Sequence, residues 1–260
     1  MSSAYDQIAD LVRQEIPVSV ATVVRPEELI GRRVVLTGGE LRGSLGDVAL
    51  DDAALAHGLR LLRAGQSKAV TVRDSAGQEA DIFFDAYPAP PTLYIFGGVH
   101  VGIPLMKYAK ILGFRVNVID PRGIFATRER FAEADDLVIE HPEDYLARTK
   151  FHENAYVVVL THDPKQDEPI LERVVGTNVS YIGAIGSKKT NAERMERLMA
   201  RGVSREKLAQ VHSPIGLDIG SQVPEEIALA IMAEVVAARY GKAGAPLRDM
   251  SGAFASVGAK

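Results

Sequence analysis

Four short polar clusters in the second half of the chain each follow an apolar run, and their residue types suit the binding of an anion. They are Gly97-Gly98-Val99-His100-Val101-Gly102, Asp120-Pro121-Arg122, Thr161-His162-Asp163 and Gly186-Ser187-Lys188-Lys189. Glycine-rich turns that open helices present backbone N–H groups at the positive end of the helix dipole, where phosphate is favoured. Carboxylate, arginine and histidine side chains beside such turns can bond a ribose, balance a phosphate or move a proton.

The first cluster comes close to the dinucleotide-binding fingerprint G-x-G-x-x-G. Gly97 and Gly102 stand at its first and third glycines, and Asp120 follows at about the 20-residue distance of a ribose-binding acid. The middle position is Val99. There the backbone must approach a pyrophosphate, and a β-branched side chain obstructs it. The fingerprint therefore argues for the fold more strongly than for bound NAD.

Each remaining motif has a plainer reading beside the functional one. Gly186-Ser187-Lys188-Lys189 suits a phosphate, or is a serine helix cap with two solvated lysines. It is not a Walker A loop: Gly183 and Gly186 are too close together, and no Lys-Ser/Thr pair follows at the required place. His162 with Asp163, and Asp167 a turn later, reads as an acid–base pair or a partial metal site. A zinc site draws three or four ligands and the other histidines are scattered, so no metal is assigned. His100 either meets an anion or caps the helix that follows. Arg122 pairs either with a ligand phosphate or with Asp120 itself. The stretch Pro214-Ile215-Gly216-Leu217-Asp218-Ile219-Gly220 is a wall over the site or a turn-rich connector. No nucleophile elbow or Ser-His-Asp order is present, so no catalytic residue is assigned. The residues by themselves lead to a Rossmann-like domain that binds an anionic, phosphate-bearing ligand.

The elements that must carry these clusters follow from periodicity. Leu93–Phe96 and Phe114–Ile119 read as buried strands around a helix with Leu105, Tyr108, Ala109 and Leu112 on one face, stopped at Gly113. Further strands are expected at Leu137–Glu140, Ala155–Leu160 and Ser180–Ile185, with a helical turn at Glu143–Arg148. A helix bearing Met195, Leu198 and Met199 stops at Gly202, and a last helix, apolar over much of its surface, runs from Pro224 to about Tyr240. This alternation is the mark of a doubly wound parallel sheet. Ahead of it, residues 3–15 form an amphipathic helix, Val18–Val24 and Arg33–Thr37 are strands, and Asp51 or Asp52 caps a helix carrying Leu55, Leu59 and Leu62. Lys68–Arg73 and Asp81–Asp85 are strands joined by a turn at Ser75-Ala76-Gly77. The proline-rich Tyr87–Thr92 separates the two patterns. The expected organisation is an α/β chain with a small α+β domain over 1–88, a Rossmann-like ligand-binding domain over 89–241, and a mobile Gly/Ala/Ser-rich tail over 242–260.

Composition sets the outer bounds. The chain has 260 residues, 47% hydrophobic and 25% charged, ordinary values for a globular protein. A net charge of −4 gives no reason to expect nucleic acid as a partner. Cysteine is absent, which excludes disulfides, thiolate metal sites and cysteine nucleophiles. The N-terminal stretch has acids among its apolar residues and does not read as a signal peptide, and no apolar run approaches a membrane span. A cytoplasmic protein that binds no membrane is the expectation.

Taken together the clusters resemble the XdhC/CoxI family, accessory proteins of molybdenum hydroxylases. The resembling residues are the glycine turn with His100, Asp120-Pro121-Arg122, Thr161-His162-Asp163 with Asp167, and Tyr181-Ile182-Gly183-Ala184-Ile185-Gly186-Ser187-Lys188. Pro214–Gly220 with Asp218 and Pro224-Glu225-Glu226-Ile227-Ala228 complete the set, which covers roughly 93–241. The resemblance implies binding of the molybdenum cofactor, a molybdopterin whose dithiolene pterin carries a phosphate. It further implies protection of the cofactor during sulfuration and delivery to a hydroxylase apoenzyme, with a cysteine desulfurase as a further partner and a homodimer as the assembly. On that reading the turns Gly97–Gly102 and Gly186–Lys188 bind the anion, and Thr161, His162 and Asp163 face the ligand. Two departures stand out: Val99 replaces the family's middle glycine, and Ala49 in Gly43-Ser44-Leu45-Gly46-Asp47-Val48-Ala49 stands where the family has a cysteine. The rival readings are an NAD(P)-dependent oxidoreductase using His162 or Asp163 for proton transfer, and an interaction scaffold with a decayed nucleotide site.

Overall fold

The computed structural model describes residues 4–14 and 16–249, which divide into two compact units at Pro90-Pro91. The tail expected over 242–260 lies outside the described residues from Met250 onward; before it, Leu247–Asp249 forms a short 3-10 turn.

The first unit places helix α1 (Ala4–Arg13) ahead of β1 (Val18–Arg25), β2 (Arg33–Thr37) and β3 (Glu40–Arg42). Helix α2 (Val48–Ala64), β4 (Lys68–Arg73) and β5 (Glu79–Tyr87) follow. The strands form an antiparallel sheet in the order β3-β2-β1-β5-β4. Strand β5 shows the reason for its place: Ala80, Ile82 and Phe84 alternate inward and are buried together with Leu50 and Leu61 of α2. The cap of α2 differs from the expected Asp51 or Asp52. Asp47 caps it, accepting the Leu50 N–H at 3.1 Å, and also accepts the Ser75 N–H at 3.1 Å. Asp51 instead accepts from Ser44 Oγ and the Leu45 N–H, both at 2.7 Å, and orders the loop before the helix.

The second unit contains β6 (Thr92–Phe96), α3 (Gly102–Ile111), β7 (Arg115–Ile119), β8 (Asp136–Val138), α4 (Pro142–Arg148) and β9 (Ala155–Val159). It continues with α5 (Pro164–Val174), β10 (Tyr181–Ala184), α6 (Lys188–Ala200), α7 (Arg205–Leu208), β11 (Val211–His212) and α8 (Pro224–Arg239). Six parallel strands lie in the order β11-β10-β9-β6-β7-β8. Every residue of β6 and β9 is buried, as strands covered on both faces require. One face packs on α3 and α8 through Leu105, Met106, Ala109, Ile231, Met232 and Val235. The other packs on α4, α5 and α6 through Tyr145, Leu146, Ile170, Leu171 and Leu198. The chain thus winds outward in both directions from β6 and β9, the doubly wound arrangement expected from the alternation. One member of the expected α3 face departs: Leu112 falls just past the helix end and is 45% exposed.

The loop after β11, with Tyr181 of β10 itself, explains a glycine inside a strand. A Cβ on Gly183 would lie within 2.7 Å of Ile215 Cγ1 and the Tyr181 hydroxyl. That hydroxyl is held by Glu234 at 2.6 Å and cannot swing aside freely. Gly183→Ala is therefore expected to cost about 1–3 kcal/mol of stability through overpacking, read by urea denaturation. Adding Ile215→Ala should recover part of the loss, which a purely conformational effect at position 183 would not allow.

Candidate functional site

The polar clusters fall on the carboxyl edge of the parallel sheet, around the switch point between β6 and β9 where open α/β sheets bind ligands. Direct contacts join three of the four. Gly97 has φ +115°, and a Cβ there would lie 3.1 Å from the backbone of both Leu160 and Thr161. The Gly98 N–H donates to Asp120 Oδ2 at 2.7 Å, and the charge of Asp163 acts on Arg122. The turn after β6 therefore meets the ends of both β7 and β9.

Asp120 is fully buried and its carboxylate is saturated. Oδ2 accepts from Gly98 N–H and Arg122 Nη2, both at 2.7 Å, while Oδ1 accepts from Arg122 N–H and Nε, both at 2.9 Å. Each oxygen has two acceptor sites, so a ribose diol finds none vacant. Burial pushes the Asp120 carboxyl up, but the Arg122 fork and the two backbone N–H groups outweigh it and hold the group below its usual value. Of the two partners open to Arg122, the structure has Asp120. The Arg122 side chain is still 39% exposed, and its guanidinium lies 4.5 Å from the Phe125 ring centroid.

The glycine turn itself is packed from within. A Cβ on Gly98 would lie 3.2 Å from Phe125 C and 3.3 Å from Ala126 N, and one on Gly102 would lie 3.5 Å from the Phe131 ring. The segment between Arg122 and Phe131 thus covers the turn. Val99 packs on the core cluster shared by α3 and α8. Close approach at this turn is made by the protein's own backbone. His100 is exposed, and the N-cap residue of α3, Val101, makes no side-chain cap hydrogen bond. The Gly102 N–H donates to the Val99 carbonyl at 2.9 Å and Pro104 has no N–H, so the first turn of α3 offers little to an anion.

At the end of β9 the three residues part company. Thr161, expected from the family resemblance to face the ligand, is 2% exposed and donates its hydroxyl inward to Asp167. Asp163 caps α5 by accepting the Lys165 N–H at 3.0 Å, and His162 is exposed. Asp167 pairs with Arg194 Nη2 at 2.7 Å, both side chains being buried. Burial pushes the Asp167 carboxyl up against the opposing pull of Thr161 and Arg194. Among the described residues no group of three His, Cys, Asp or Glu side chains could hold a metal ion.

At the end of β10, Ser187 caps α6 by accepting the Thr190 N–H at 3.1 Å, and Lys188 and Lys189 are exposed. Lys189 faces Glu193 at 4.0 Å; Lys188 makes no ion pair among the described residues. Gly183 is engaged in packing, as described above. The loop with Asp218 hangs from the sheet by Ile215 N–H to Ala184 O at 3.1 Å, and from α8 by Gly216 N–H to Glu234 at 2.8 Å. Glu234 also meets His212 Nδ1 at 3.2 Å. Asp218 lies exposed and makes no hydrogen bond or ion pair among the described residues. The loop is fastened to β10 and α8, and the sequence did not single out Tyr181, His212 or Glu234 as its anchors. Asn191 and Arg194 were missed as well, though their spacing with Leu198 along one helix face, i, i+3 and i+7, marks polar residues turned to the core.

The second unit is a Rossmann-type domain in which the acid at the end of β7, Asp120, is bonded from within. A family model described as the XdhC Rossmann domain matches residues 93–235, more than half of the chain. The chain belongs to the XdhC family. It is 33% identical over 162 residues to a protein of Bacillus subtilis (strain 168) described as a probable xanthine dehydrogenase subunit, covering 62% of this chain and 47% of that protein. Over 257 residues it is 23% identical to the protein YqeB of Escherichia coli (strain K12), covering 92% and 47%. Over 83 residues it is 32% identical to the molybdenum cofactor insertion chaperone PaoD of Escherichia coli (strain K12), covering 32% and 26%. The chain thus spans about half the length of the first two relatives. A crystal structure described as a xanthine dehydrogenase from Bacillus halodurans shares the fold, with TM-score 0.55 and 18% identity over 92% of this chain and 97% of that one. Among the described residues no helix is long and apolar enough to cross a membrane.

Arg122→Gln should leave the buried Asp120 carboxylate without its fork. The expected loss is about 1–3 kcal/mol at pH 7, reduced by the exposure of the guanidinium. In the native protein the depressed Asp120 value adds stability above the unfolded value of about 3.9, lost as pH falls through the folded value. In the variant burial dominates and raises that value, so the difference from the native protein should be largest at neutral pH and shrink toward pH 3. Urea midpoints across that range test the sign; a difference that grows on acidification would refute it.

Proposed function

We propose that this protein is an accessory factor that binds the molybdenum cofactor and delivers it to a molybdenum hydroxylase apoenzyme, with no turnover of its own. Membership of the XdhC family supports the reading, as do the names of the relatives from Bacillus subtilis and Escherichia coli. The observation that carries it is the saturated Asp120: the edge lacks the acid a dinucleotide ribose needs, yet keeps the exposed Lys188 and the part-exposed Arg122 for an anion. That weighs against an NAD(P)-dependent oxidoreductase.

The groups present fit a phosphate-bearing pterin. Lys188, the Gly186–Ser187 turn, Arg122 and His100 would hold the phosphate, with His162 and Asp163 bordering the ring system. Gly97, Gly98 and Gly102 shape the first turn, while the loop with Asp218 walls the site. With no cysteine in the chain, the cofactor would be held by its organic part rather than by a thiolate on the metal. Bound in its client, the cofactor supplies the redox centre. The same reading takes 89–241 as the ligand-binding domain and 1–88 as a separate one. It also takes a cysteine desulfurase as a further partner, a homodimer as the assembly and the cytoplasm as the location.

Titration of the purified protein with molybdopterin should give saturable binding near one equivalent per chain, and its absence sinks the proposal. NADH and NADPH should leave the melting temperature unmoved, whereas a ligand at a hundred times its Kd would add about 2.7 kcal/mol. Lys188→Ala should weaken molybdopterin binding about tenfold, some 1.4 kcal/mol, with the urea midpoint unchanged.

A further inference from the structure

Beneath the candidate site lies a buried polar network that none of the ligand-facing roles uses. Thr161 donates to Asp167 Oδ1, and Asp167 Oδ2 accepts from Arg194 Nη2 at 2.7 Å. The side chains of Arg194 and Asp167 are 3% and 1% exposed. Arg194 also donates to the Ile185 carbonyl, from Nη1 at 3.2 Å and from Nη2 at 3.1 Å, and its Nη1 reaches Asn191 Oδ1. Asn191 in turn donates from Nδ2 to the Gly186 carbonyl at 3.0 Å. One guanidinium therefore links the end of β9, helix α5, helix α6 and the backbone that leaves β10.

The cost of such an arrangement makes a purely stabilising role a poor account of it. Two buried charges lose several kcal/mol of hydration each, and well-packed apolar residues of similar volume often serve stability as well or better. What apolar residues cannot do is hold carbonyls. Ile185 and Gly186 stand just past the strand, where ladder bonding ends, and Arg194 and Asn191 fix their carbonyls in its place. The peptide units so fixed run straight into Ser187 and Lys188. Thr161, fixed by Asp167, abuts Gly97, so the same network reaches the glycine turn.

We propose that Arg194, with Asp167 and Asn191, is a positioning group that sets the Gly186-Ser187-Lys188 turn against the Thr161 strand end for anion binding. This rests on the anion-site reading above. The geometry is preorganised through buried partners, and a ligand then meets a turn whose ordering cost has already been met in folding.

The test uses the full chain and the variants Arg194→Lys and Asp167→Leu/Arg194→Met. Lysine keeps the charge but has a single donor head that cannot span Asp167, Asn191 and the Ile185 carbonyl together; the double variant removes both charges. Amide hydrogen exchange is followed in the peptide spanning 185–189, with β1 as an internal control, beside molybdopterin titration. Exchange at 185–189 is expected to quicken at least about tenfold in both variants with β1 unchanged, and the molybdopterin Kd to rise about tenfold. A merely structural pair would lower the melting temperature while leaving the 185–189 peptide as protected, relative to β1, as in the native protein. That result, or an unchanged Kd where the native protein binds, overturns the proposal. If the double variant does not fold, Arg194→Lys decides. If the native protein fails to bind molybdopterin, the cofactor reading falls and the exchange measurement alone decides the positioning role.

Discussion

The structure around the sheet edge depends on the buried carboxylate of Asp120 being satisfied by the protein itself. A carboxylate at the end of the second strand of a Rossmann unit is normally left open to a ribose. Here two backbone N–H groups and a guanidinium fork close around it. Because one of those N–H groups is that of Gly98, the same contact pins the glycine turn. Because the fork is Arg122, it also anchors the segment that crosses the turn and packs its backbone on Gly98 and Phe131 on Gly102. The glycines that read as a cradle for a pyrophosphate are needed, to a large extent, by the fold.

The fold was legible because its signal is strong at the level of whole elements. Strands β6 and β9 are short apolar runs bounded by turn residues, and burial on both faces demands that composition. Helix α8 reads as apolar around much of its circumference because it lies on the sheet beside α3 while its other side carries residues such as Leu229, 47% exposed. Errors collected where the deciding contact is not periodic. Asp47 rather than Asp51 caps α2 because Asp51 is drawn to Ser44 and Leu45, a loop contact that spacing does not announce.

The site was legible in outline only, for a related reason. The sequence places residues at strand ends, but it does not say which way a side chain turns there. Thr161, His162 and Asp163 are consecutive, yet one points into a buried network, one into solvent and one onto the first turn of α5. Gly183 belongs to the same motif as Gly186 but meets Ile215 from the loop after β11. The residues that hold the edge in shape, Asp167, Asn191, Arg194 and Glu234, come from helices, where a polar residue on an apolar face is easily read as solvated.

The balance of charge that results bears on what the edge can bind. The chain as a whole is acidic, at −4, and several acids lie among the clusters. Two of these are neutralised inside the protein, Asp120 by Arg122 and Asp167 by Arg194, and Asp163 is engaged in capping α5. Lys188 is left in solvent at the N-terminus of α6, and α3 presents a second helix N-terminus without a side-chain cap. Helix termini act over about one turn, and exposed charges are screened over about 8 Å at physiological salt, so it is this local arrangement, not the net charge, that a ligand meets. The two buried acids of the edge are thus internally paired, while Asp218 on the loop after β11 stays exposed and Lys188 and His162 stand in solvent. The occupied Asp120 and the solvent-exposed Lys188 beside the Ser187-capped turn of α6 are the two observations from which the anion reading is proposed.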